Sequence, residues 1–339
     1  MPIAASTPTL RDGPLVLRPW TSDDLHGLKK SAVASGWFET DAGLDEGLER
    51  WLADQEEDGS KVSLAIEHSD VVIGGLLLAG TTAEALGDTA VVSWQLFKAD
   101  TQLVAAGALQ LLLRHAFENL GIARVETRLA DSDTASGRVA ARAGMLKEGT
   151  ARGALPSGSI DGARIDQVIF ARLADDPSVT DRGSFARVLN STLPTKRAIA
   201  QALIRNEAGE VLLCQPTYKR FWDLPGGVVD PAESPATAVL REVAEELSLH
   251  GTVHSLAAVS WLPPWRGWDD ATLFVFDVRV TSEPGALQPR EIAATHWRAV
   301  QDVGAHTAEY TARIIERSVR AIDEGTGTVY LENGQDPAW

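Results

Sequence analysis

A chain of 339 residues, 44% hydrophobic and 23% charged, has a globular composition and is too long for one comfortable hydrophobic core, so two domains are expected. Its 31 Lys+Arg against 47 Asp+Glu leave a net charge of −16, which sets the protein's own field against a nonspecific grip on nucleic-acid backbone or an anionic membrane. Free nucleotides are still admitted, because a metal can screen their phosphates. Cys214 stands alone, excluding an internal disulfide. With no secretion signal or bilayer-spanning apolar run in view, a cytoplasmic protein is expected.

In chain order, Leu15-Val16-Leu17 reads as a strand and Thr21-Ser22-Asp23-Asp24 as a turn. Val71 to Leu78 reads as a strand bent at Gly74-Gly75, and Val91 to Phe97 as the next strand. Leu109, Leu112, Leu113, Ala116 and Phe117 recur at helical spacing, with Gly121 where a helix stop is expected. A strand follows at Ala123 to Leu129. This alternation predicts an α+β or α/β domain over 1–174. The polar, core-poor stretch 175–194 reads as a linker. Ala198 to Arg205, the turn Asn206 to Glu210, and Val211 to Gln215 carry a hairpin signature that opens a second domain, 195–325, before a tail at 326–339.

The strongest chemical signal runs from Gly226-Gly227 through Glu233 to Arg241-Glu242-Val243-Ala244-Glu245-Glu246-Leu247. Ser234 suits a helix N-cap and Pro235 the first helical position, predicting a helix to about Leu249. At about 100° per residue, Ala236, Leu240, Val243 and Leu247 share one face and Glu242, Glu245 and Glu246 the other. An exposed acidic face is the bland explanation for such a run. Three convergent carboxylates repel, however, unless a cation neutralises them. An oxygen donor set without His or Cys points to Mg²⁺ or Mn²⁺, and with it to metal-assisted phosphoanhydride hydrolysis. Arg241, one turn before Glu245, is placed to orient it, and Glu233 to brace the glycine loop. Gly226 and Gly227 allow backbone close to a metal, with a carbonyl oxygen of Gly226 as a further ligand.

Gly227, Glu233, Arg241, Glu242, Glu245 and Glu246 stand at the spacings of the signature box of the Nudix hydrolases, which the segment Thr195 to Val303 resembles. The resemblance implies a mixed sheet sandwiched between helices, metal binding by Glu245 and Glu246, and Glu242 as a ligand or as the base that deprotonates water. Ser248 departs from the glycine usual there; it ends the helix and touches no ligand role. Glu291 is a further metal-ligand candidate. Trp222, Trp261, Trp265, Arg266 and Trp268 are candidates for stacking a base and holding phosphate, with packed loop aromatics as the equal alternative. Cys214, within an apolar strand, reads as a core residue.

Leu15 to Trp20, the helix Ala108 to Phe117, Ala123 to Glu126 and Ala135 to Val139 leading to Ala143-Gly144-Met145 make 9–173 resemble a GNAT-type acetyltransferase. That family binds the coenzyme A pyrophosphate with a glycine-rich turn at a helix N-terminus. Here Gln102, Leu103, Val104, Ala105 and Gly107 stand in its place, with one displaced glycine, and Asp133 replaces an asparagine ahead of Ser136. The degenerate turn favours a binding or homodimerising module over acetyl transfer from acetyl-CoA. His115, Glu126 and Asp166 are further acetyl-transfer candidates. The reading is thus a hydrolase of a nucleotide-type small molecule fused to a GNAT-like domain. A bifunctional enzyme and a regulatory nucleotide or acyl-CoA sensor are the alternatives.

Overall fold

The computed structural model describes residues 8–24, 61–82, 85–97, 101–156 and 163–339. Two compact units, Met1–Leu193 and Pro194–Trp339, divide the chain.

The first unit is built on β1 (Leu10–Asp12), β2 (Leu15–Arg18), β3 (Lys61–His68), β4 (Val71–Thr82), β5 (Ala85–Leu96), β6 (Arg124–Ala130), β7 (Leu146–Pro156) and β8 (Arg164–Leu173). They form one mixed sheet in the order β1-β2-β3-β4-β5-β6-β8-β7. Its one parallel pairing joins β5 to β6 over Thr89–Val91 and Arg124–Glu126; beyond Val91, β5 follows β4 alone and the sheet opens. Helix α1 (Gln102–Glu118) buries Leu109, Leu112, Leu113 and Ala116, expected from their spacing, and with them Ala105. Gly121 follows at φ +69°. The short helix α2 (Thr134–Arg142) starts with Asp133 accepting the Ser136 N–H at 3.0 Å.

Where a linker is expected, the structure builds α3 (Arg182–Thr192), packed beside β7. The Ser191 hydroxyl accepts the Lys147 N–H at 3.1 Å, and Arg187 pairs with Asp176 at 3.0 Å. The helix buries Ser184 alone and leaves Phe185 and Leu189 exposed, so its sequence lacks the apolar stripe that announces a helix.

The second unit sets β9 (Arg197–Ile204), β11 (Gly226–Val228), β12 (Gly251–Leu262), β13 (Ala271–Val280) and β15 (Val329–Glu332) into a sheet of order β11-β9-β13-β12-β15. β10 (Val211–Pro216) pairs instead with β14 (Ile292–Arg298). The expected β9–β10 hairpin is therefore reduced to one bridge, Arg205 to Val211. Both strands are fully buried at their junction, and β10 satisfies its backbone on a different partner. Alternation along β9 separates two cores. Ala200, Ala202 and Ile204 meet Val239, Val243 and Leu247 of α4 (Pro235–Leu247). Ile199 and Leu203 meet Ile314, Ile315 and Val319 of α5 (Glu309–Glu324). The expected tail is a structural strand: β15 runs parallel to β12 and buries Leu331 completely.

Candidate active site

Helix α4 is fixed at both ends by local chemistry. Ser234 Oγ accepts the Thr237 N–H at 3.1 Å, and Pro235 occupies the first turn, as the sequence predicts. Ser248 ends it in the left-handed region at φ 50°, the conformation for which glycine is the unstrained choice.

From this helix Arg241 reaches a ring of oxygens. Its Nε and Nη2 donate to Glu233 at 3.1 and 3.0 Å, and its Nη1 to Glu242 at 2.9 Å and Glu245 at 3.2 Å. Nη2 also donates to the Val228 carbonyl at 3.3 Å. The Glu233 carboxylate also accepts the Asp230 N–H at 3.2 Å, in the loop after the glycines. Its bond to Arg241 holds it below the usual carboxylate range, and the same bond raises the guanidinium.

The three helix glutamates have different surroundings. Glu245 is 59% exposed and held by Arg241. Glu242 lies against Gly227, where an added Cβ would fall 2.5 Å from its Oε1. Glu246 is turned inward, 6% exposed, and accepts the Gly226 N–H at 2.9 Å. Burial pushes Glu246 up to about 7; the Gly226 N–H opposes the shift, while the charges of Glu242, Glu291 and Asp223 add to it. Burial likewise raises Glu242, against the Arg241 bond. The sequence places these carboxylates on one patch. In the structure Glu242 and Glu245 share the Nη1 of Arg241 while Glu246 turns inward to Gly226, and among the described residues no group of three or more His, Cys, Asp or Glu is arranged to hold a metal. The donor set itself fits a hard divalent cation: all oxygen, with the half-buried Glu242 and the buried Glu246 raised by burial and by like-charged neighbours, and bare backbone at Gly227.

The aromatic candidates separate cleanly. Trp222 is stacked with His296 and with His306 at centroid distances of 4.0 and 4.1 Å, the packed loop aromatic that the sequence offers as the alternative. Trp261 is pinned by its Nε1–H to Asp270 at 2.9 Å. Trp265 and Trp268 are exposed, with Arg266 over the first ring and Arg197, absent from the sequence candidates, over the second. Glu291 is exposed on the segment before β14, and its carbonyl accepts the Thr217 N–H at 2.8 Å. A buried polar group also lies behind the glycines. Asp223 accepts Gln201 Nε2 at 2.9 Å and Lys219 Nζ at 2.6 Å.

In the first unit, Gln102, Asp133 and Ser136 line a cavity of about 290 Å³ with Trp94, Gln95, Leu96, Ala135 and Val139. It lies where β5 leaves β6. The Trp94 Nε1 is buried without a hydrogen-bond partner. Val104, Ala105 and Gly107 are helix-packing positions instead: Ala105 is buried, Val104 packs on the core, and a Cβ at Gly107 would meet Leu15 at 3.5 Å. His115 shares a hydrogen bond with Asn119, Glu126 is tied to Arg124 and Arg128, and Asp166 accepts the Gly153 N–H.

Fold and site together define a two-domain α+β chain with an arginine–carboxylate centre in its second unit. Residues 195–318 match the model of the NUDIX domain, and residues 14–146 that of the acetyltransferase (GNAT) domain; the chain carries one of each. An uncharacterized Nudix hydrolase of Rhodococcus erythropolis is 40% identical over 90 residues, covering 24% of this chain and 48% of that protein. An RNA pyrophosphohydrolase of Pseudomonas aeruginosa is 35% identical over 83 residues, again 24% of this chain and 48% of the relative. The chain thus spans about half the length of these curated relatives. Among solved structures, the MutT protein from Methanosarcina mazei Go1 is 28% identical with a TM-score of 0.34, covering 39% of this chain and 99% of that one. Mycobacterium smegmatis RimJ in complex with CoA-disulfide is 19% identical with a TM-score of 0.42, covering 56% and 95%. No helix among the described residues is long and apolar enough to cross a membrane.

Proposed function

We propose that the second unit hydrolyses the pyrophosphate bond of a nucleoside diphosphate linked to another moiety, using Mg²⁺ or Mn²⁺ held by Glu242, Glu245 and Glu246. The observation that carries this reading is the single guanidinium of Arg241, bonded at once to Glu233, Glu242 and Glu245 while Glu246 is bonded to the glycine strand. A solvated acidic face has no need of such a network. When bound, the ion would neutralise charge on the diphosphate and polarise the phosphoryl group whose phosphorus the water attacks. The chain's own groups do the rest. Arg241 holds Glu245 in place, Glu233 fixes Arg241, and the bare backbone of Gly227 leaves Glu242 room beside the strand. Glu242, raised by burial, is suited to take a proton from attacking water, help worth on the order of 10²–10⁴-fold.

The test is a metal-supplemented screen of ADP-ribose, dinucleoside polyphosphates, nucleotide sugars and nucleoside triphosphates with identification of both products. Glu245→Gln is expected to abolish turnover and leave the circular dichroism unchanged, since Glu245 is exposed and outside the core. Equal rates for variant and parent reject the assignment.

A second reading, in which the first unit also binds an acyl-CoA, draws support from the cavity beside α1 and the unpartnered Trp94 Nε1. The glycine-poor turn Thr101-Gln102-Leu103 counts against its diphosphate. Calorimetry of the full chain with acetyl-CoA decides between this and a module without cofactor.

A further inference from the structure

Helix α3 carries apolar side chains that the first unit does not use. Phe185 and Leu189, one turn apart and therefore on the same side, are 72% and 43% exposed. Beside them, between α3 and the end of α2, lies a cavity of about 290 Å³ walled by Ala141, Gly144, Val179, Val188 and Leu189. Phe185 also lines it, and at such exposure its ring stands at the rim. A cavity of about 150 Å³ takes a benzene molecule, so this one has room for a phenyl side chain. An exposed aromatic next to an apolar hollow of matching size marks a surface for another protein.

Charge is sorted along the same helix. Asp175 and Asp181 lie at its N-terminal end, where Arg182 offsets one of them and Asp176 is already paired with Arg187. Asp181 is the N-cap residue, yet its side chain makes no capping bond. At the C-terminal end the Lys147 N–H is bonded to Ser191 Oγ, and Arg142 is the one charged residue lining the cavity. Asp175, Asp181, Arg142 and Lys147 are all exposed, and none has a side-chain partner among the described residues. The face is thus acidic at one end, basic at the other and apolar between. A partner of uniform charge would satisfy one end and repel the other. A copy of the same surface laid antiparallel satisfies both, because a two-fold axis sets each acidic end against the other's basic end.

We propose that this face of α3 is a homodimer interface, in which two copies of the chain pack antiparallel, the Phe185 ring of each enters the cavity of the other, and Asp181 of each lies opposite Arg142 of the other. The interface is independent of the hydrolase reading. Sedimentation velocity of the full chain is expected to give twice the chain mass at about 0.1 mM, where a dimer of micromolar Kd is nearly complete. Phe185→Asp is expected to raise the dimer Kd on the order of tenfold or more, as the loss of a central aromatic does, with an unchanged circular dichroism spectrum because the ring is exposed. Asp181→Arg and Arg142→Asp alone each set like charges together and are expected to weaken the dimer roughly threefold or more at low salt. The double variant Asp181→Arg/Arg142→Asp exchanges the two charges and is expected to return to within about twofold of the parent. Neither substitution removes a side-chain bond of the fold, so the set reads association alone. A parent with the mass of one chain throughout, a dimer that persists undiminished in Phe185→Asp, or a double variant as weak as the single ones overturns the proposal.

Discussion

Gly226 and Gly227 are neighbours whose replacement by alanine has different consequences. At Gly226 the backbone sits at φ +141°, and a Cβ would lie 2.2 Å from the Ala200 carbonyl oxygen, an atom that cannot give way. Strain of roughly 1–3 kcal/mol and overpacking of similar size are expected to lower the urea midpoint of Gly226→Ala. At Gly227 the obstacle is the flexible end of Glu242. Gly227→Ala is therefore expected to leave the midpoint nearly unchanged and cut hydrolysis by tenfold or more; the opposite ordering of the two midpoints would contradict this geometry. Cys214 tests a burial argument. It is 1% exposed and burial pushes its thiol up, so iodoacetamide is expected to label it only after unfolding. The box residues were legible because their spacing lies within a loop and one helix. The packing of Trp222 was not legible because the histidines stacked on it come from β14 and the turn before α5, and Arg197 was missed because its ring partner lies in the turn between two other strands.

Elements were legible where one face is apolar and adjacent residues settle the ends. α1 and α4 announce themselves by periodicity, and α4 also by its Ser-Pro start. α3 could not, since it buries so little of itself, and the β9–β10 pair misled because a turn signal between apolar runs says nothing of which sheet each run joins. β15 shows what the sequence pattern left out: four residues near the end of the chain complete a five-stranded sheet. Leu331 is fully buried among Leu273, Val275 and Ile315. Leu331→Ala is expected to cost about 2–5 kcal/mol in denaturant unfolding of the second unit. A loss below about 0.5 kcal/mol, the range of a surface substitution, would mean that the strand is an ornament on the sheet.

Each unit has its own hydrophobic interior. One core cluster draws its residues from Leu15 to Phe170, and the other two draw theirs from Ala200 to Leu331, with none shared. Unfolding need not then be a single event, and a ligand that binds one folded unit stabilises that unit's transition. The carboxylates proposed to hold the metal all belong to α4, so Mg²⁺ or Mn²⁺ is expected to raise the midpoint of one calorimetric transition and leave the other in place. At a metal concentration a hundred times Kd the gain is about 2.7 kcal/mol. Glu246 sharpens the test, since it is the buried member of the proposed ligand set and is held by the Gly226 N–H. Glu246→Gln is expected to remove the metal-induced shift from that transition, as is a chelator added to the parent. A shift of both transitions by the metal, or one that survives in Glu246→Gln, would place the ion somewhere other than the helix that carries the arginine network.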